Sequence, residues 1–292
     1  MAGSESGALP TFFVIGAMKA GTTSLHVYLS CHPEIHMSQP KEPHYFISHE
    51  NAPQPSGVVH RFEDYKALFD PSAPVRGESS PTYSLFPQYR DVPRRIAQLV
   101  PDARFVYLVR DPVERIVSHY MHNVAVDGVR QSFDDHVGDL SRRDNPYIFP
   151  CFYATQFERY LEVFPKEHVL VVDQADLLTR RDECMRGIFR FLGVDPTRAP
   201  HTFEKKHGSA AQRRRYPRGY EQLLDRVSAS TMPRVPRRVG RGARRLLDRA
   251  LWPPVESPVV SQAIRDRVKQ VCGPEVQRLR ALTGKSFESW SL

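Results

Sequence analysis

The chain has 292 residues, of which 40% are hydrophobic and 25% are charged, and its formal net charge is +8. A chain of about 300 residues can bury a large core as one domain. No run approaches the roughly 18 uncharged apolar residues of a membrane-spanning helix, so the composition predicts a globular protein outside the integral membrane class. The positive charge is concentrated in residues 213–249, which hold twelve arginines against three acidic residues.

The basic segment 213–249 has several interpretations. A basic patch is typical of proteins that contact nucleic acid, an anionic membrane surface or a polyanionic substrate. The sequence has no pattern of a zinc finger, an RNA-recognition motif or a homeodomain, so we expect no nucleic-acid partner. Peripheral membrane contact and a solvated helical face both stay open, and the oligomeric state is unknown at this stage.

The N-terminus and the cysteines suggest the compartment. Residues 1–10 are small and polar, without a basic stretch followed by an apolar one, so we expect a cytoplasmic protein. The cysteines show no C-x-x-C pair and no Cys/His ligand spacing, which favours four reduced, mostly buried thiols over disulfides or a metal site. They are Cys31, Cys151, Cys184 and Cys272.

Short runs of β-branched and aromatic residues, each followed by a helical pattern, recur along the first two thirds of the chain. This alternation predicts an α/β fold with a central parallel sheet flanked by crossover helices. The predicted strands are 11–16, 34–38, 75–79, 104–109 and 168–172. The predicted helices are 21–30, 91–100, 112–124, 146–164 and 181–192, with Gly193 closing the last one.

The strand patterns stop after residue 195, and Pro, Arg and Gly become frequent. This part of the chain predicts a helical, Arg-rich C-terminal extension, with helices at 220–227, 242–251 and 258–283. We expect Phe287 and Trp290 to pack on the body. The predicted organisation is a disordered N-terminus, 1–10, and a single domain, 11–292, with a core at 11–195 and the helical, basic portion at 196–292.

The segment from Phe12 to Thr23 has the pattern of a buried strand that turns into a helix. Small residues in the turn allow backbone N–H groups to approach an anion at the helix N-terminus, and Lys19 adds a full positive charge. We therefore predict a phosphate-binding, P-loop-like turn at Gly16-Ala-Met-Lys-Ala-Gly21. It is not a Walker A motif, because the lysine precedes the second glycine. A kinase, or a turn with an incidental lysine, stays open on this evidence.

A second anion site is predicted where the buried strand 104–109 ends at Arg110. Asp111 can cap the next helix, and Ser118 lies two turns further along it. Because parallel strands end at one edge of a sheet, Arg110 is expected beside the first loop, and two anion sites there suit a nucleotide with phosphates at both ends. For Arg110 alone, an ion pair with Asp111 or Glu114 is the simpler interpretation.

Three ordered segments resemble motifs of the sulfotransferase family. They are Gly16-Ala-Met-Lys-Ala-Gly-Thr-Thr23, Pro40-Lys-Glu-Pro-His-Tyr-Phe46 and Val109-Arg-Asp-Pro-Val-Glu-Arg-Ile-Val-Ser118. The likeness covers roughly residues 10–195 and looks like the carbohydrate and heparan sulfate branch with its bacterial relatives. It implies transfer of a sulfuryl group from 3′-phosphoadenosine-5′-phosphosulfate (PAPS) to a hydroxyl of a glycan, glycolipid or small metabolite, with no metal.

The resemblance also implies how the donor is bound. The 5′-phosphosulfate would be held by Lys19, Ala20, Gly21, Thr22 and Thr23. The 3′-phosphate would be held by Arg110 and Ser118. The family's final basic loop, which closes over the nucleotide, corresponds here to Arg213, Arg214 and Arg215 before Tyr216 and Pro217.

The resemblance assigns the chemistry to two residues. Glu42 would be the general base, and Lys19 would neutralise the oxygen that leaves; His44 is the second candidate for the base. The chain departs from the heparan-type pattern at Ser79, where those enzymes have lysine after the third-strand glutamate, and in a basic loop without Lys-Gly-Arg. Glu78 could orient Lys19 or the acceptor, or be a structural ion-pair partner.

The acceptor and the competing functions stay open in the sequence. Four aromatic residues suit either a sugar-stacking acceptor site or core packing: Tyr147, Phe149, Phe152 and Tyr153. The alternatives to a sulfotransferase are an ATP-dependent kinase and a non-enzymatic protein that binds anionic surfaces through residues 213–249.

Overall fold

The computed structural model describes residues 8–47, 55, 57–199 and 255–292. Its centre is a five-stranded parallel sheet with strand order β2-β3-β1-β4-β5. The strands are β1 (Phe12–Gly16), β2 (Ile35–Met37), β3 (Val75–Ser79), β4 (Arg104–Val109) and β5 (Val169–Asp173). The predicted α/β class is confirmed, and the ends of each predicted strand lie within one residue of the observed ones.

Helices flank this sheet and follow its strands. Along the described residues they are α1 (Thr22–Leu29), α2 (Phe62–Lys66), α3 (Val92–Leu99), α4 (Pro112–Val126), α5 (Phe133–Val137), α6 (Tyr153–Leu161), α7 (Gln174–Thr179), α8 (Arg181–Leu192) and α9 (Gln262–Thr283). Short 3₁₀ turns occupy Pro81–Ser84, Phe149–Cys151, Lys166–His168 and Pro196–Arg198. The predicted helices 220–227 and 242–251 lie outside the described residues. None of the described helices is both long and apolar enough to cross a membrane.

Two predicted helices begin later than expected. The prediction of one helix over 146–164 is wrong in its first part, because Pro150 lies in a 3₁₀ turn and α6 begins only at Tyr153. Proline has no N–H to donate and disfavours helical backbone in the residue before it. The last helix begins at Gln262 rather than 258, because the Ser261 side chain caps it by accepting a hydrogen bond from the N–H of Ile264.

The core of the sheet is hydrophobic on both faces. All five residues of β1 are buried, as expected for a central strand covered on both sides by helices. On the neighbouring strand, Phe105 stacks on Phe13 with ring centroids 5.6 Å apart. Because all strands are parallel, the loops after Gly16, Ser79 and Val109 meet at one edge of the sheet.

The C-terminal portion packs on this body through α9 and the tail that follows it. Glu275, which is buried, accepts hydrogen bonds from the N–H and hydroxyl of Thr155 at 3.0 Å each. Phe287 and Trp290 are both buried, and Trp290 Nε1 donates to Asp173 Oδ2 at 3.1 Å. The predicted docking of these two aromatic residues is confirmed.

The four cysteines are free, as predicted. Cys151 and Cys272 are buried completely, whereas Cys31 and Cys184 are partly exposed. The Sγ atom of Cys151 accepts a hydrogen bond from Nε of the buried Arg115 at 2.9 Å. These thiols therefore contribute to packing in and against the core rather than to a disulfide among themselves.

Glu78, near the end of β3, is a buried carboxyl group. Its Oε2 accepts a hydrogen bond from the Tyr65 hydroxyl at 2.5 Å, and among the described residues it has no ion-pair partner. Burial raises its pKa from 4.5 to about 7, although hydrogen bonds from Tyr65, Tyr83 and Ser80 oppose the rise. In the folded protein Glu78 therefore keeps its proton almost to neutral pH.

We predict that Glu78 makes the protein less stable as the pH rises from 5 to 8. The unfolded state loses this proton near pH 4.5 and the folded state only near pH 7, so the free energy of unfolding falls between these values by about 3 kcal/mol. Urea unfolding at both pH values should show that Glu78→Gln removes most of this fall. The exposed Glu63→Gln is the control and should retain it. An unchanged pH dependence in Glu78→Gln would contradict the prediction.

Candidate active site

The loop between β1 and α1 has the backbone of an anion-binding turn. Lys19 has a φ angle of 69° and Gly21 one of 99°, both in the left-handed region. Such conformations turn successive N–H groups toward one point. Gly21 is the N-cap of α1 and no described side chain caps this helix, which leaves its first N–H groups available to a ligand.

The other predicted loop residues differ in exposure. Ala20 is fully buried and Thr22 is almost so, whereas Thr23 is exposed at the start of α1. The Ala20 N–H donates to the carbonyl of Ala17 at 3.1 Å, which closes the turn. In this arrangement Thr23 is the more accessible hydroxyl, and the small Ala20 allows close packing under the loop.

Arg110 joins the two predicted anion sites. Its Nη1 donates to the carbonyl of Lys19 at 3.3 Å, which places the end of β4 against the first loop, as the parallel topology predicts. Asp111 caps α4 by accepting a hydrogen bond from the N–H of Glu114 at 3.0 Å, which confirms the predicted cap. The charge of Lys19 also contributes to lowering the pKa of His119 on α4, after burial and Arg115. The charge of Lys19 in the loop therefore acts on a side chain of α4.

Arg110 also forms one of the ion pairs that the sequence suggests, the pair with Glu114. Its Nε and Nη2 donate to Glu114 Oε2 at 3.2 and 3.0 Å, one helical turn apart. An exposed pair at this spacing stabilises a protein by only about 0.3–0.5 kcal/mol. A bound phosphate can therefore compete with Glu114 for the guanidinium.

A cleft of about 330 Å³ opens beside Arg110 and Ser118. Ser118 is buried on α4, and it lines the cleft together with residues of the C-terminal portion. The polar ones are Ser257, Arg265, Ser289 and Ser291. Sequence reasoning missed these four, because no local motif marks them and only tertiary packing brings them to Ser118.

The tail after α9 is bonded directly to this edge of the sheet. The N–H and hydroxyl of Ser291 donate to Asp111 Oδ2 at 2.5 and 2.8 Å. At the end of β5, Trp290 Nε1 donates to both carboxylate oxygens of Asp173. The wall of the cleft is thus a fixed part of the fold.

Glu42 lies in the segment after β2, in contact with two basic side chains. The ammonium of Lys41 contacts Glu42 Oε1, and Nε2 of His44 lies 3.6 Å from Glu42 Oε2. The Glu42 side chain is 40% exposed, whereas that of His44 is only 4% exposed. Burial lowers the pKa of His44; the charge of Glu42 opposes this effect and that of Lys41 adds to it, so the surroundings favour the neutral imidazole.

Hydrogen bonds fix this segment against the end of β3. The His44 ring shares a hydrogen bond of 2.8 Å between Nδ1 and Thr82 Oγ1, and the Phe46 N–H donates to the Tyr83 hydroxyl at 3.2 Å. The Ser79 N–H donates to the carbonyl of Lys41 at 3.2 Å. The backbone that presents Glu42 is therefore held in place by the sheet.

His26 joins α1 to the end of β3, the strand against which this segment is held. Its Nδ1 lies 3.0 Å from the hydroxyl of Ser79, the position where heparan-type enzymes have lysine. Burial lowers the pKa of His26 to about 4; the charge of Lys41 lowers it further, and that of Glu42 raises it. Both charges therefore lie close to α1, the helix that begins at the phosphate loop.

Other predictions for the site have mixed outcomes. Tyr147, Phe152 and Tyr153 are buried, so for these three the core-packing interpretation is correct. Arg213, Arg214 and Arg215 lie outside the described residues. Among the residues that the structure describes, no group of three or more His, Cys, Asp or Glu side chains is arranged to hold a metal ion.

The fold and the loop define the general class of the protein. A parallel sheet with a P-loop-like turn after its central strand is typical of α/β enzymes that bind nucleotides. A profile of the Sulfotransferase family matches residues 10–198. The chain therefore belongs to the sulfotransferase family, as its motifs predict.

Sequence relatives support the family. The bifunctional heparan sulfate N-deacetylase/N-sulfotransferase 2 of Homo sapiens is 30% identical over 203 residues, and that of Bos taurus is 32% identical over 203 residues. Each match covers 64% of this chain but 22% of the relative. The chain thus spans about a fifth of the length of these curated relatives.

A solved structure supports the fold. A sulfotransferase from Alicyclobacillus acidocaldarius superimposes with a TM-score of 0.70 at 24% identity, over 98% of this chain and 100% of that chain. At this level of identity the similarity shows the shared fold.

We predict that Gly16, which begins the loop, tolerates no side chain. A Cβ there would clash with Ser84 Oγ and lie 3.2 Å from the Tyr107 ring. Gly16→Ala should therefore lower the free energy of unfolding by about 1–3 kcal/mol, measured by urea denaturation. Gly187→Ala is the matched control, because nothing lies within 4 Å of the added methyl in α8 and alanine stabilises a helix interior by about 0.5–1 kcal/mol. Equal effects of the two substitutions would contradict the predicted crowding.

Proposed function

We propose that this protein is a sulfotransferase that takes a sulfuryl group from PAPS and transfers it to an acceptor hydroxyl or amine. The observation that carries the proposal is the hydrogen bond from Arg110 to the carbonyl of Lys19, because it joins two anion sites at one sheet edge. A donor with a phosphosulfate at one end and a 3′-phosphate at the other requires such a pair of sites. ATP carries no phosphate at its 3′ position.

The residues present fit this donor. On the 5′ side, the left-handed turn at Lys19 and Gly21 and the uncapped start of α1 suit the phosphosulfate. On the 3′ side, the cleft at Arg110 and Ser118 suits a second phosphate. We expect Arg213, Arg214 and Arg215 to add positive charge over the bound nucleotide.

The proposed reaction is an in-line transfer. The acceptor oxygen or nitrogen forms a bond to sulfur while the bond from sulfur to the bridging phosphate oxygen breaks, which releases adenosine 3′,5′-bisphosphate. Glu42 takes the acceptor proton, and Lys19 neutralises the charge that develops on the leaving oxygen. Positioning and charge stabilisation supply most of the catalysis in transfers of this type.

The surroundings of His44 favour Glu42 as the base. When the Thr82 hydroxyl donates to Nδ1, the proton of the neutral imidazole is on Nε2 and faces the carboxylate of Glu42. Nε2 then has no free lone pair with which to take a proton. We therefore assign His44 to the orientation of Glu42, whose side chain is the more exposed of the two.

Lys41 supplies a positive charge that Ser79 cannot. The two residues are joined through their backbones, and the ammonium of Lys41 contacts Glu42. We infer that Lys41 replaces the lysine that heparan-type enzymes carry after the third-strand glutamate. A cation beside the base suits an acceptor that bears a carboxylate or a sulfate near the reacting group.

The relatives point to a glycan acceptor without fixing the reacting atom. They are heparan sulfate N-sulfotransferases by name, and therefore transfer to nitrogen. The sequence motifs predict transfer to a hydroxyl. Glu42 can accept a proton from either group, so an acceptor panel needs both hydroxyl and amino sugars, with glycolipids and small metabolites beside them.

We predict that adenosine 3′,5′-bisphosphate stabilises the protein more than ATP does at equal concentration. Ligand at about 100 times its dissociation constant stabilises a folded protein by about 2.7 kcal/mol, which is a shift of several degrees in Tm. A thermal-shift assay with and without a chelator measures this, and we expect the chelator to have no effect. Selective stabilisation by ATP with magnesium would instead favour a kinase. Salt-sensitive binding to anionic vesicles without any nucleotide response would favour a binding protein.

We predict that Glu42→Gln slows turnover strongly and leaves donor binding intact. The loss of a general base should lower kcat by about 10²- to 10⁴-fold. Turnover is measured as release of adenosine 3′,5′-bisphosphate with the acceptor panel. His44→Asn is the comparison variant, because asparagine tolerates the left-handed φ of 54° at this position, and it should lower kcat much less. The reverse order of the two effects would make His44 the base.

A further inference from the structure

We propose that Arg265 on α9 is a third ligand of the 3′-phosphate, beside Arg110 and Ser118. This inference rests on the proposed function and deepens it by assigning part of the donor site to the C-terminal portion. All three side chains line the cleft of about 330 Å³ at the end of β4. The profile match ends at residue 198, so Arg265 lies outside the part of the chain that carries the family motifs.

The helical period directs Arg265 toward the cleft. The buried face of α9 contains Val268 and Cys272, which lie three and seven residues after Arg265. Residues at these spacings share one face of a helix. Arg265 thus lies at the exposed end of the face by which α9 packs on the body. Its side chain is exposed there and lines the cleft.

Contacts on both sides of Arg265 attach this part of the chain to the body. The Ser257 hydroxyl donates to Met121 Sδ on α4 at 3.4 Å, and further along α9 Glu275 is bonded to Thr155 on α6. The same helix α4 carries Ser118. Helix α9 is itself in contact with α4, and this packing brings Arg265 and Ser118 to the same cleft.

The charges around the cleft indicate why a second arginine is needed. Arg110 shares its charge with Glu114, and the cleft also contains the carboxylate of Asp111, which accepts two hydrogen bonds from Ser291. Within the described residues, Arg265 has no carboxylate partner. A phosphate monoester carries a charge of about −1.5 to −2 at pH 7. Arg110 and Arg265 together match such a dianion, whereas Arg110 alone does not.

The test compares two nucleotides that differ only in the 3′-phosphate. Isothermal titration calorimetry of the full chain gives the dissociation constants of adenosine 3′,5′-bisphosphate and of AMP. We call the ratio of these two constants the discrimination for the 3′-phosphate. We expect Arg265→Gln to weaken the bisphosphate about 10-fold or more and to leave AMP unchanged, because a hydrogen bond to a charged group contributes about 1.5–3 kcal/mol. Arg265→Lys, which keeps the charge, should retain part of the discrimination.

Two further variants separate the possible outcomes. Arg267→Gln is the matched control, because Arg267 is exposed on the same helix, does not line the cleft and donates to Gln270. Arg110→Gln reports on the proposed donor site itself. If Arg110→Gln loses the discrimination and Arg265→Gln keeps it, the role of Arg265 is overturned and the proposed function stands. If the wild-type protein binds both nucleotides equally, the proposed donor is wrong and the role of Arg265 falls with it.

Discussion

The parallel direction of the strands is the constraint on which the candidate site depends. Because all five strands run the same way, β1, β3, β4 and β5 end at one edge, at Gly16, Ser79, Val109 and Asp173. Each loop that follows contributes a different group there: N–H donors after β1, supports for the base segment after β3, and Arg110 after β4. The site needs no special folding of the chain beyond short turns at this edge.

An anion site at this edge must also accommodate the carboxylates of Asp111 and Asp173. Both cap the helices that follow their strands, and both receive hydrogen bonds from residues of the tail. Hydrogen bonds to a carboxylate stabilise its charged form, so these donors affect how much negative charge the edge carries. The tail after α9 therefore contributes to the electrostatics of the edge as well as to its shape.

Local patterns were enough to predict the sheet and to place the two candidate anion-binding segments at its edge. Buried β-branched runs mark the strands, and the glycines around Lys19 mark the loop, since these signals lie within a few residues. Parallel topology then predicts the approach of Arg110 to that loop. The late start of α6 was missed because a hydrophobic pattern continues across Pro150, where the backbone forms a 3₁₀ turn instead of the α-helix.

Contacts between distant segments could not be predicted in the same way. Nothing near Ser79 in the sequence indicates that its hydroxyl meets His26, and nothing near Arg265 indicates Ser118. Such pairs depend on how helices pack on the sheet and on which direction each side chain takes. The raised pKa of Glu78 could not be predicted from the sequence either, because it follows from complete burial rather than from residue type.

The bond between Ser291 and Asp111 joins residues that are 180 positions apart in the chain. During synthesis, β1, the loop and Arg110 leave the ribosome long before the residues that complete the wall of the cleft. The entropic cost of closing so long a loop is met only after the intervening body has folded. A nascent chain that has emerged only as far as Arg110 therefore contains the loop after β1, but it lacks Arg265, Ser289 and Ser291. The cleft with its full set of polar groups forms only after these residues have docked.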